Sequence, residues 1–313
     1  MIHHDRHDHI GQARSGSAAD APWLLAALVV ILGFMVAEVT VGFVAHSLAL
    51  IADGGHMLTD AVGIGLGLAA AHLVRRPARG AFTYGFARVD ALSGQINGVT
   101  LILLAIWFVV EAVRRLVHPQ IADGAPMTIV ALVGVVVSIV ATSLVGRADR
   151  ESLSVRGVFL HLLTDLWAFA ATAVAGIVIM LTDWHRADAV ASLVVAAVMV
   201  WTGARLVRDA GRIFLEAAPA GTDPGGLGDE LAGVDGVAEL HDLHVWEIGV
   251  GESALSAHVL VRASYDCHDV SARMRRLLAA AHGISHVTLQ TDHADHSVDD
   301  CEDAHGDIHV PLS

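Results

Sequence analysis

The chain has 313 residues, is 54% hydrophobic and carries a formal net charge of −14, with a mean hydropathy of +0.58. That exceeds the apolar share of an ordinary soluble domain, about 45–50%, and no nucleic-acid partner is expected of so acidic a chain. The apolar excess collects in residues 23–210, whereas residues 213–313 read as ordinary soluble protein, so a membrane part followed by a soluble part is expected.

Residues 1–20 (MIHHDRHDHIGQARSGSAAD) hold His3, His4, His7 and His9 among acids and lack the apolar core of a cleaved signal peptide. A spanning helix needs about 20 mostly apolar residues. Six stretches qualify, near 23–44, 49–72, 91–112, 126–146, 157–181 and 188–207. There is no Lys, so orientation rests on Arg. Arg75, Arg76, Arg79 and Arg88 flank the loop after span two. Arg147, Arg150 and Arg156 flank the loop after span four, and Arg205, Arg208 and Arg212 follow span six. The opposite loops hold only Arg114, Arg115 and Arg186. The positive-inside rule then puts both termini in the cytoplasm.

After span six comes RDAGRIFLEAAPAGTDPGG, a helix exit and a Pro/Gly-rich joint. Residues 237–248 and 254–262 alternate like strands, 268–282 carry Val270, Met274, Leu277, Leu278 and Ala281 at helical spacing, and 285–291 read as a third strand. A small α+β domain over 211–292 is expected, followed by a His/Asp-rich tail over 293–313. That tail, like the one over 1–20, reads as a weak metal collector or a solvated end. Cys267 and Cys301 give no disulfide framework and are expected to be reduced.

Two pentapeptides carry the chemistry: HMLTD at 56–60 and HLLTD at 161–165, both inside apolar spans. Four residues advance a helix by about 40° beyond one turn, so each His and its Asp share a face. Asp53 joins the face of His56 and Asp60. Placing one Asp at the centre of a spanning helix costs about 2.5–3.5 kcal/mol, and such groups mark ion or proton paths. If the two faces meet, two imidazoles and two carboxylates form an N2O2 set suited to tetrahedral Zn²⁺. Mg²⁺ and Ca²⁺ want more oxygens, and Cu(I) wants sulfur. Cobalt, cadmium and nickel fit the same donors. Metal binds neutral imidazole and ionised carboxylate, so loading releases protons. Gly63, Gly65 and Gly67 follow Asp60 and let helices approach closely. Gln95 and Asn97 on span three are candidates for tuning the site from outside its ligands.

These residues resemble the cation diffusion facilitator family. HSLALIADGGHMLTDAVGIGLGL resembles its second transmembrane helix, SVRGVFLHLLTDLWAFAATAVAGIVI its fifth, FTYGFARVDALSGQIN its loop into helix three, and DLHVWEIGVGESALSAHVLV with HVTLQTD its cytoplasmic domain. The resemblance runs from about residue 23 to 292. It implies a membrane all-α six-helix transporter domain plus a small cytoplasmic α+β, metallochaperone-like (ferredoxin-like) domain. It further implies a homodimeric exporter of divalent metal, driven by proton antiport, in a bacterial inner membrane. It carries over His56, Asp60, His161 and Asp165 as the transport site of the zinc-preferring branch, with Asp53 as an accessory. His241, His258 and Asp292 occupy positions where some members bind regulatory zinc, although Gln290 stands where those members can have another His. The loop GRADRES between spans four and five lacks the His of many zinc carriers, and the loop after span two offers only His72.

Three other readings compete with transport. A membrane metalloenzyme needs an open metal position and a base, and no H-E-x-x-H occurs. A metal sensor would not need ionisable pairs in two spans. A passive channel differs only in lacking coupling to a pH gradient.

Overall fold

The computed structural model describes residues 22–37, 40, 48–74, 76–118, 124–148, 153–294 and 306–311. They form two compact units, Met1–Gly211 and Arg212–Ser313.

The first unit is helical: α1 Pro22–Ala37, then α2 Leu48–Val74, α3 Arg88–Val117, α4 Gly124–Val145, α5 Leu153–Thr182 and α6 Ala187–Phe214. Helices α3, α5 and α6, and Thr128–Val145 within α4, are long and apolar enough to cross a membrane. The apolar helices Pro22–Ala37 and Ala61–Val74 are shorter as described. Helix is the outcome because lipid supplies no hydrogen bonds, so each backbone N–H must be paired within its own segment. Hydroxyls follow the same rule: Thr100, Thr128, Thr164, Ser192 and Thr202 each donate to the carbonyl four residues earlier. Large apolar side chains such as Leu103, Trp107, Ile129 and Trp167 face outward, each at least 59% exposed, a surface suited to acyl chains rather than water.

Two of the apolar clusters among the described residues tie the helices of this unit together. One joins α1, α2, α4 and α5 through Leu24, Ile31, Met57, Ile64, Val145 and Leu162. The other joins α3 and α6 through Leu101, Ala105, Val195, Met199 and Leu206. At the α3–α6 crossing the backbones touch. A Cβ on Gly98 would stand 2.9 Å from the Gly203 carbonyl oxygen, and one on Gly203 2.7 Å from that of Gly98. Ion pairs close both ends of α6: Arg115 bonds Glu111 at 2.9 Å and Asp188 at 2.8 Å, and Arg156 meets Asp209 at 3.0 Å.

The second unit runs α7 Pro224–Ala232, β1 Val237–Gly249, β2 Glu252–Val261, α8 Cys267–His282 and β3 His286–His293. The sheet order is β1-β2-β3, with β1 antiparallel and β3 parallel to β2. A parallel pair needs a crossover, and α8 supplies it. Helix α7 replaces part of the joint expected from the glycines of PGGLGDELA. Asp223 accepts from the Gly225 N–H, and Pro224 occupies the first turn, where its missing N–H costs nothing. Asp266 caps α8 by accepting from the N–H groups of His268 and Asp269, at 2.8 and 3.1 Å. Gly283 ends α8 at φ 66°. Leu227, Leu231, Leu240, Leu255, Val259, Val270, Met274 and Leu278 form the core. The result is a small α+β domain of the ferredoxin-like kind.

The end of the His/Asp-rich tail is docked on this unit. Leu240 and His309 exchange backbone hydrogen bonds of 2.9 and 2.8 Å. His309 is 8% exposed and its Nδ1 lies 2.8 Å from Asp229 Oδ1. The ring fills the space that Gly228 leaves by lacking a side chain, and the free edge of β1 offers the backbone partners.

Candidate metal centres

In α5, His161 and Asp165 are 8% and 7% exposed, with Nε2 and Oδ2 3.8 Å apart. The intervening Thr164 turns away and donates to the Leu160 carbonyl at 2.8 Å. Asp53, His56 and Asp60 all fall within the unbroken helix α2, which places them on one face. Their side chains lie outside the described ones. Gly63 and Ile64, one turn beyond Asp60, line a cavity of about 10 Å³ together with Asn97 of α3 and Val158, His161 and Leu162 of α5. That volume is close to the least that holds one water. Of the polar side chains of α3, Asn97 lines this cavity and is 6% exposed, Ser93 is 4% exposed, and Gln95 is only half-buried. The facing of Asn97 was not legible from its own helix, because α3 carries apolar residues all round.

A second group of donors lies on the sheet. His241, Asp242 and His258 each offer a ligand atom, and these atoms lie within 4.8 Å of one another. The β1–β2 register sets His241 opposite His258, with ring centroids 5.5 Å apart and the planes at 76°. Asp242 stands at φ 49° within the register shift between His241 and His244. That bulge turns its carboxylate toward the histidines, leaving Oδ2 3.6 Å from His258 Nδ1. His241 Nδ1 also lies 3.0 Å from Glu239 Oε1, an acidic partner of the sort that orients a ligating imidazole. Asp292 pairs with Leu260 and follows Gln290, which faces His258. Gln290 Nε2 donates to Asp292 Oδ2 at 3.4 Å. Asp292 therefore neighbours the group but is not one of its three members. Asp242 is the residue that sequence reasoning missed. Its signal is the run HDLH, where the alternation of a strand breaks.

Beside this sheet, Cys267 Sγ lies 3.4 Å from His293 Nε2. Desolvation, reinforced by the carboxylates of Asp266 and Asp292, pushes the Cys267 thiol above its ordinary pKa, so it stays protonated at neutral pH.

Known proteins share both units. A family model described as the cation efflux transmembrane domain matches residues 24–215. One described as the cation efflux protein cytoplasmic domain matches residues 227–294. A cadmium, cobalt and zinc/H(+)-K(+) antiporter of Bacillus velezensis is 30% identical, covering 94% of this chain and 93% of its own length. The metal cation efflux system protein CzcD of Cupriavidus metallidurans is 30% identical over 90% of this chain and 87% of its own. The zinc transporter ZitB of Escherichia coli is 32% identical over 89% of each. The two family models take in most of the chain, and these relatives match it along nearly their whole length: the chain belongs to the cation efflux family, and is a multi-pass membrane transporter rather than an enzyme.

Proposed function

We propose that the chain exports Zn²⁺ from the cytoplasm in exchange for protons, through one site formed by His56, Asp60, His161 and Asp165. The observation that carries this reading is the buried His161–Asp165 pair beside a cavity whose opposite wall belongs to α2. Two imidazoles and two carboxylates saturate a tetrahedral zinc, which leaves no open position for hydrolytic chemistry. Metal binds neutral imidazole and ionised carboxylate, so loading the site displaces protons. Opening alternately to each side, such a site carries metal one way and protons the other. The names of the relatives, zinc transporters and a cadmium, cobalt and zinc antiporter, support the same cargo class, and Co²⁺, Cd²⁺ and Ni²⁺ fit the same donors. Asp53, two turns before Asp60, is an accessory at the entry.

His241, Asp242 and His258 form a regulatory zinc site in this reading, with Asp292 as a neighbouring carboxylate. The chain works as a homodimer in a bacterial inner membrane, with both termini in the cytoplasm, as the Arg distribution indicates. The His-rich residues 1–12 and 293–313 gather metal on the cytoplasmic side, so their deletion weakens transport only at low free zinc.

The test is flux. The purified chain in sealed vesicles, with zinc and pH dyes inside, should move zinc and protons in opposite directions, and Asp60→Ala or Asp165→Ala should remove both signals. Zinc movement without protons would contradict antiport, and normal flux in both variants would contradict the site.

A further inference from the structure

We propose that Asn97 is a positioning residue that sets the metal preference of the transport site through the imidazole of His161; this rests on the site assignment above. Asn97 belongs to α3, which carries neither pentapeptide. Its carboxamide is nevertheless clamped between the two helices that do. A Cβ on Gly63 of α2 would stand 3.1 Å from Asn97 Oδ1. One on Gly157 of α5 would stand 3.2 Å from Asn97 Nδ2 and 3.4 Å from its Cβ. Gly63 follows Asp60 by three residues and Gly157 precedes His161 by four, so both glycines sit on the faces that carry the pairs. The slot exists because both helices lack a side chain there.

What fills the slot is polar without an evident structural need. Asn97 is 6% exposed, and its buried Nδ2 has no hydrogen-bond partner among the described residues. A buried donor in that state is costly, and an apolar residue of similar size would avoid the cost. Ser93, one turn earlier on α3, repeats the pattern: it is 4% exposed and its Oγ has no partner among the described residues. Asn97 also lines the same one-water cavity as His161.

The chemistry of an amide suits this place. It offers donors that a carboxylate accepts and an acceptor that an imidazole N–H can use, directly or through one water. A ligating His is normally oriented by such a group on its other nitrogen. The amide is also neutral, so it adds no charge that would pull the site toward harder cations. Replacing it by a carboxylate adds oxygen and charge, and oxygen-rich sites suit Mn²⁺ better than imidazole-rich ones.

The experiment compares zinc, cadmium and manganese transport by the full chain in vesicles, for the parent, Asn97→Leu, Asn97→Asp, Asn97→Ser and Asp165→Ala. Asn97→Leu should raise the KM for zinc about tenfold, the loss typical of an outer partner of a metal ligand, and should shift the pH profile of flux. Asn97→Asp should move the zinc-to-manganese ratio toward manganese. Asn97→Ser, still polar, should fall between Asn97→Leu and the parent. A packing role alone would lower yield and thermal stability but leave the metal ratio and pH profile unchanged; that result in the folded variants overturns the inference. If Asn97→Leu does not fold, the ratio in Asn97→Asp against Asn97→Ser decides, and equal ratios overturn it. Asp165→Ala separates the two levels. If it is inactive while every Asn97 variant matches the parent, only the role of Asn97 falls. If it transports normally, the site assignment falls too.

Discussion

The His161–Asp165 pair on α5 and the His241, Asp242 and His258 group on the sheet use the same residue types at opposite cost. His161 and Asp165 are 8% and 7% exposed in a helix apolar enough to span a membrane, where one ionisable group costs kilocalories. On the sheet, the His258 side chain is 33% exposed, and water pays part of its solvation. Only a position that chemistry requires withstands the first environment, whereas the second accepts a histidine at little cost. The membrane pair should therefore be indispensable to transport and the sheet group a modulator.

The sharpest way to break that comparison is to remove one member of each. Asp165→Ala is expected to abolish zinc flux in vesicles. His241→Ala combined with His258→Ala should leave maximal flux near that of the parent and alter only its dependence on cytoplasmic zinc. Abolished flux in the sheet variant would reverse the ranking.

A smaller effect separates the two units by what their glycines do. In the membrane unit Gly98 and Gly203 serve close approach, and a Cβ on either meets backbone oxygen, which cannot swing aside. Gly98→Ala should destabilise the helical unit by about 1–3 kcal/mol, the usual cost of overpacking. In the sheet unit Gly283 has open space around it but sits at φ 66°, so Gly283→Ala should cost about 1–2 kcal/mol through backbone strain alone. Thermal unfolding of the full chain, followed by a probe in each unit, distinguishes the two losses.

The smallest expected effect is on pH dependence at the start of α8. The N–H groups of Asp269 and His268 hold the Asp266 carboxylate below its ordinary pKa. The folded state thus favours the ionised form. Its contribution is present above the unfolded value of about 3.9 and is lost as pH falls through the lower folded value. NMR titration of the Asp266 carboxyl carbon should show that lowered midpoint, and Asp266→Ala should loosen the first turn of α8 at neutral pH.

Much of this was legible in the sequence because helical spacing is local. Four residues separate His161 from Asp165, and the helix alone brings them onto one face. The four long spanning helices and the order of the sheet domain follow from apolar length and alternation. What was not legible depends on distant segments or on broken patterns. Asp242 joins the histidines through a bulge, which alternation does not encode. Asn97 turns inward because glycines on two other helices make room for it. Helix α7 forms in a glycine-rich stretch because Asp223 and Pro224 start it, and His309 docks because Gly228, some 80 residues earlier in the chain, leaves a slot.

The central claim is that the two pentapeptides are halves of one site, and equilibrium zinc binding tests it most directly. In the full chain carrying His241→Ala and His258→Ala, binding is compared with and without Asp60→Ala, Asp165→Ala, or both. One shared site predicts that either substitution removes the high-affinity zinc and that the double substitution removes nothing more, the non-additivity of groups acting together. If each single substitution removes only part of that binding and the double removes the sum, the pentapeptides hold metal independently and the account is contradicted.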